Sequence, residues 1–112
     1  DLVGPAQHTV FRPEEFDTLI SFSMFEHDPT WEQSYLHNLQ WLKPGGMIFL
    51  CWGAEGNGHH LPEPFAIVPV ARFNEVNERA GCVDILDQFF EMDRFPSSGN
   101  CLGCYDVVAR KR

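Results

Sequence analysis

The stretch that decides the fold is Phe16 to Trp52, FDTLISFSMFEHDPTWEQSYLHNLQWLKPGGMIFLCW, which reads as strand, loop, helix, tight stop and strand. The apolar run Phe16 to Phe22 is too short for a helix and ends in small polar residues. From Pro29 the spacing turns helical: Trp31, Tyr35, Leu39 and Leu42 fall on one stripe, with Glu32, Gln33, His37 and Gln40 off it. Lys43-Pro44-Gly45-Gly46 then has to stop the helix, because Pro44 drives its predecessor out of the α region and a glycine takes the left-handed position that closes a helix. Met47 to Trp52 is nearly uninterrupted apolar sequence, as in a strand covered on both faces. Together these make one βαβ unit, with a crossover long enough for parallel pairing and a right-handed connection.

An apolar strand opening on Phe16-Asp17, the Glu26-His27 pair, an amphipathic helix and Leu42-Lys43-Pro44-Gly45-Gly46 leading into a strand resemble the class I S-adenosylmethionine-dependent methyltransferases. The resemblance makes these the fourth strand, fourth helix and fifth strand of that family's seven-stranded sheet. It makes Phe73 to Gly81 the next helix and Cys104 to Lys111 the last strand. It covers nearly the whole chain but only the carboxyl-terminal half of the family's domain. The implied fold is a single partial Rossmann-like α/β domain over residues 1–112, with about four strands and two helices: a parallel βαβ unit followed by an antiparallel terminal pair. The sequence has no glycine-rich turn after a first strand and no ribose-binding acid in such a context. The resemblance therefore implies a small-molecule methyltransferase that is truncated and incomplete as a catalyst alone. The alternative is a non-catalytic binding or assembly module derived from the same fold.

In open α/β sheets ligands bind outside the carboxyl ends of strands, and in the resembled family the fourth strand borders that crevice. Ser21, Ser23, Met24, Glu26 and His27 stand there. The resemblance implies S-adenosylmethionine as cofactor, bordered by Ser21, Ser23 and Met24 and not held tightly by this chain alone. It implies His27 as a base taking a proton from an acceptor hydroxyl or amine, with Glu26 orienting it or holding an ammonium group. The plainer reading has Glu26 and His27 shape the helix entry while Asp28 or Thr30 caps it and Glu32 suits the first-turn dipole.

A net charge of −8 disfavours nucleic acid and anionic membrane as partners, since both are bound through basic groups. No segment approaches the roughly 20 apolar residues of a membrane span and no signal peptide is recognisable, so the expectation is a cytoplasmic protein. A half-domain leaves one sheet face and a strand edge bare, which predicts a homodimer or a complementing half-domain as partner.

Cys51, Cys82, Cys101 and Cys104 read as reduced thiols in that compartment. No metal site is expected from Cys101-x-x-Cys104 with His59-His60, because a zinc site of that kind needs a second closely spaced ligand pair. His59 and His60 lie in the Gly53 to Pro64 loop, which in the family borders the acceptor pocket. Val70, Phe73, Val76 and Ala80 mark a second amphipathic helix closed by Gly81. For Val83 to Phe95 periodicity admits helix or strand, and the resemblance selects a strand that pairs through the 96–100 turn with Leu102 to Arg110. Thr9 to Phe11 is expected as a short strand, Trp41 as an interface residue, and Arg110-Lys111 as a solvated tip.

Overall fold

The computed structural model describes residues 10–22, 24–53, 68–91 and 103–112, the side chains of Glu26 and Glu91 excepted. Strand β1 is Phe16–Phe22, helix α1 Trp31–Leu39, strand β2 Leu42–Gly53, helix α2 Val70–Ala80, strand β3 Val83–Glu91 and strand β4 Cys104–Lys111. The sheet order is β1-β2-β4-β3. β1 runs parallel to β2, whereas β4 is antiparallel to both of its neighbours, β2 and β3. The strand reading of 83–91 and the antiparallel last strand are as expected; the 96–100 turn lies outside the described residues.

The core lies on one face of the sheet. Ile48, Leu50 and Trp52 alternate along β2 and point to the same side as their β4 neighbours Val107 and Ala109. Tyr35 and Leu39 of α1 and Phe73 and Val76 of α2 close over them. Phe73 and Ile48 are wholly buried, and each such side chain contributes about 1.5–3 kcal/mol through removal from water. On the other face, Ile20 and Phe22 of β1, Phe49 of β2 and Phe89 of β3 stay exposed, and no helix among the described residues covers them.

Several expectations are corrected. The helix ends at Leu39, with Gln40 as its cap, and the Lys43-Pro44-Gly45-Gly46 run belongs to β2. There one residue of β1, Asp17, stands against four of β2, Lys43 to Gly46, so the run is a wide bulge between the pairs Phe16–Leu42 and Thr18–Met47. Gly45 does take positive φ, +81°, but to turn the bulge and not to close a helix. Leu42 is buried as the first residue of the strand and not as part of the helix stripe.

Val10 and Phe11 form no strand, and Thr9 lies outside the described residues. Trp41 is not exposed as an interface reading would have it: it is buried against Phe11 and His37, with ring centroids 6.3 and 5.3 Å away. Lys111 is not a solvated tip either. Its ammonium donates to the carbonyls of Leu39 (2.8 Å) and Leu42 (2.6 Å), tying β4 to the α1–β2 connection. Arg112 likewise donates to Asp84 Oδ1 and to the Gly81 carbonyl. A lysine at that place satisfies the Leu39 carbonyl at the end of α1 together with the Leu42 carbonyl at the start of β2. Of the Arg110-Lys111 pair, Arg110 stays exposed while Lys111 is half-buried.

Candidate functional site

The site begins where β1 gives out. Ser21 is half-buried in the ladder, paired with Leu50, and Phe22 pairs with Cys51 at the carboxyl ends of the two parallel strands. The chain then tightens into a single 3₁₀ turn, Phe25–His27, in which the His27 amide donates to the Met24 carbonyl (2.9 Å) and the Asp28 amide to the Phe25 carbonyl (3.1 Å).

Phe25 is the reason for that turn. It is 2% exposed and meets Trp31, Trp52, Tyr35 and Phe73 with centroids 5.2 to 6.3 Å away. Such an aromatic cluster pins the loop more firmly than its polar sequence suggests. Met24 packs partly against the same core, and His27, the last residue of the turn, is half-buried. The structure thus holds Ser21, Met24 and His27 along one stretch at the strand end. Ser23 lies outside the described residues, and of Glu26 only the backbone is described. His59, His60 and Cys101 are also outside.

Asp28 is committed to the helix entry. Its carboxylate accepts from the Thr30 amide and hydroxyl, both at 2.8 Å, and from the Ser34 hydroxyl at 2.5 Å. Burial pushes its pKa up, but the hydrogen bonds from Ser34 and Thr30 outweigh this and hold the carboxyl below its ordinary range. Glu32 in the first turn takes Arg72 of α2 in a two-pronged pair, Nε to Oε1 at 2.6 Å and Nη2 to Oε2 at 2.9 Å. Hydrogen bonding from Arg72 lowers the Glu32 pKa. Thr30 stands at the cap without a side-chain cap bond, Asp28 braces it from the preceding turn, and Glu32 is engaged by Arg72 of α2.

Two grooves lie away from this turn. One of about 510 Å³ runs between α2 and β3, at the opposite edge of the sheet from β1, past Asn74, Glu78 and Gln88. The Asn74 and Gln88 amides bridge it with bonds of 3.1 and 2.8 Å, so its polar walls already satisfy each other. The other, about 250 Å³, follows the outer edge of β1 among Phe11, Phe16, Ile20 and Trp41. At its wall the Trp41 Nε1 is buried without an acceptor. Such a donor costs about 1–3 kcal/mol if nothing meets it.

One arrangement escaped the reading of the sequence. Cys51 of β2 is the register partner of Asp106 of β4, and Cys104 lies two residues before Asp106 on the same face. The two thiols and the carboxylate lie within 4.8 Å of one another, all half-buried. Burial first, and then Cys104 and Asp106 alongside, push the Cys51 thiol up. Positions 51 and 104 are brought together only by the β2–β4 register, so local spacing carries no trace of the cluster.

As a cofactor site the described residues do not fit S-adenosylmethionine. Ser21 and Met24 stand at the end of β1, neither of the two grooves is lined by them, and the sequence has no glycine-rich turn opening a helix after a first strand. What this stretch does provide is a histidine on a turn fixed by Phe25.

The sequence matches no protein-family model and no curated protein. Its structure does have relatives. An S-adenosylmethionine-dependent methyltransferase from Methanosarcina mazei superposes with a TM-score of 0.78 at 14% identity, over 98% of this chain and 66% of that one. A putative methyltransferase from Haloferax volcanii, solved with a methyltransferase activator, gives 0.76 at 19% identity, over 98% and 60%. The [4+2]-cyclase SpnF gives 0.72 at 16% identity, over 96% and 54%. The chain spans between 36% and 67% of the length of such structures. It has part of the class I methyltransferase fold.

Proposed function

We propose that this chain is the acceptor-side part of an S-adenosylmethionine-dependent small-molecule methyltransferase and is incomplete as a catalyst without a further half-domain. The observation that carries the reading is the sheet order β1-β2-β4-β3 with β4 antiparallel, in a fold shared with methyltransferases at TM-scores up to 0.78. In this reading His27 takes or holds the proton of an acceptor hydroxyl or amine, and Glu26 orients it or receives an ammonium group. The further half supplies the glycine-rich turn and the ribose carboxylate, whether from the same polypeptide or another.

Among the described residues no helix covers the sheet face opposite α1 and α2 and no strand pairs with the outer edge of β1, which supports the need for a partner. Ile20, which lines an apolar groove, is 59% exposed and Phe22 on the same strand 65%, a surface that soluble proteins normally cover. Two copies joined along β1 provide the simplest closure, with a complementing half-domain as the other. Light scattering at micromolar concentration is expected to give a dimer or larger species; a monomer would contradict self-association.

The commitment of Asp28 to Thr30 and Ser34 favours a second reading, a non-catalytic binding or assembly module on the same fold. The cyclase among the structural relatives makes the same point, because one fold carries more than one chemistry. Amide shift mapping with S-adenosylhomocysteine separates the two. The enzyme reading expects small shifts gathered on Ser21, Met24 and His27, and their absence at saturating ligand would favour the module.

A further inference from the structure

We propose that Cys51, Cys104 and Asp106 form a site for a soft divalent cation of the zinc class, on the sheet face opposite the helices.

Three observations meet here. The donors are two sulfurs and one carboxylate oxygen within 4.8 Å of one another. Zinc bonds of about 2.3 Å to sulfur and 2.0–2.2 Å to oxygen put tetrahedral ligand atoms about 3.5–3.8 Å apart. Closing the cluster onto an ion therefore takes a movement of about an ångström, within reach of side-chain rotation. The backbone is already placed, since Cys51 and Asp106 are direct partners in an unbroken run of seven β2–β4 pairs, Met47–Arg110 to Gly53–Cys104. Opposite Cys104 stands Gly53, which has no side chain to fill the space beside its thiol.

Hydrogen bonding is consistent with the same arrangement. The Cys104 Sγ donates to Asp106 Oδ2 at 3.7 Å, so the thiol and the carboxylate already face each other. Without a cation, three acidic groups share one half-buried spot and their charged forms repel. A dication turns that repulsion into coordination. Two S–H bonds break as two metal–sulfur bonds form, the two protons pass to the buffer, and the carboxylate binds without losing a proton. Two thiolates in a set of three select zinc, cadmium or cobalt over magnesium or calcium, which take oxygen ligands. A chain of net charge −8 also draws cations. The site lies at the carboxyl end of β2, so an ion would clamp β2 to β4 where the strand ends.

The test uses the full chain, reduced with a phosphine, freed of metal and titrated with Co²⁺. The expected result is a thiolate-to-cobalt charge-transfer band that saturates at one equivalent and is lost on adding Zn²⁺. Cys51→Ser and Cys104→Ser should each diminish the band and weaken Zn²⁺ binding at least about tenfold, while Cys82→Ser leaves both unchanged. Asp106→Asn, which keeps the shape and both thiols, should keep the band and weaken the affinity. No band in the parent chain, or a band undiminished in Cys51→Ser, would overturn the proposal.

Discussion

Tyr35 of α1 donates its phenolic hydrogen bond to Asn77 Oδ1 of α2 at 2.9 Å, and both side chains are buried. Asn77 in turn donates from Nδ2 to the Phe73 carbonyl one turn back, so the amide is fixed and cannot swing away. This bond joins the two helices inside the apolar layer, while Arg72 and Glu32 join them at its rim. Tyr35→Phe should lower stability by about 1–2 kcal/mol, because the Asn77 oxygen stays buried with its donor gone. Urea unfolding measures it, and an unchanged midpoint would show that water replaces the hydroxyl.

The bulge in β2 makes two glycines necessary for different reasons. A side chain at Gly45 would meet nothing within 4 Å, so only its φ of +81° matters. Gly45→Val should cost about 1–2 kcal/mol through backbone strain, and Gly45→Asn distinctly less. At Gly46 an added Cβ would lie 2.7 Å from Leu42 Cγ and 2.9 Å from the Lys43 carbonyl oxygen. Gly46→Ala should cost about 1–3 kcal/mol from crowding. Equal midpoints for Gly45→Val and Gly45→Asn in denaturant would refute the φ argument.

Acid should unfold the protein through α1. The pKa of Glu32 is depressed from 4.5 by hydrogen bonding from Arg72. That of Asp28 falls from 3.8 because the Ser34 and Thr30 bonds outweigh burial. Groups depressed in the folded state contribute stability that is fully present above their unfolded pKa and is lost as pH falls through the folded value. The loss therefore sets in below about pH 4.5 and deepens with further acid. Glu32→Gln should lower stability at neutral pH and flatten the decline below that point. Parallel stability curves for the variant and the parent would contradict this assignment.

Periodicity and punctuation made most of the fold legible. β1, α2 and its Gly81 closure follow from apolar spacing and a left-handed glycine, observed at φ +67°. The 83–91 strand needed the resemblance, because Ile85, Leu86, Phe89 and Phe90 suit a helix equally well. Pro44-Gly45-Gly46 was misread for a physical reason: the residues that stop a helix are the same ones that bulge a strand. Lys111 and Trp41 were misread because local polarity and spacing say nothing about carbonyls or rings brought in from elsewhere. At the candidate site the sequence singles out the end of β1 but not Phe25, whose burial anchors the turn. The Cys51–Cys104–Asp106 cluster was invisible, since it exists only through register.

The central claim is that this chain carries one wall of a cofactor crevice and not the whole. Calorimetric titration of the purified chain with S-adenosylmethionine tests it most directly. A one-sided contact must offset several kcal/mol of lost ligand freedom, so the expected affinity is about millimolar at best. Micromolar binding, abolished by substitution at Ser21 or Met24, would contradict the half-site account and make His27 the residue to replace next.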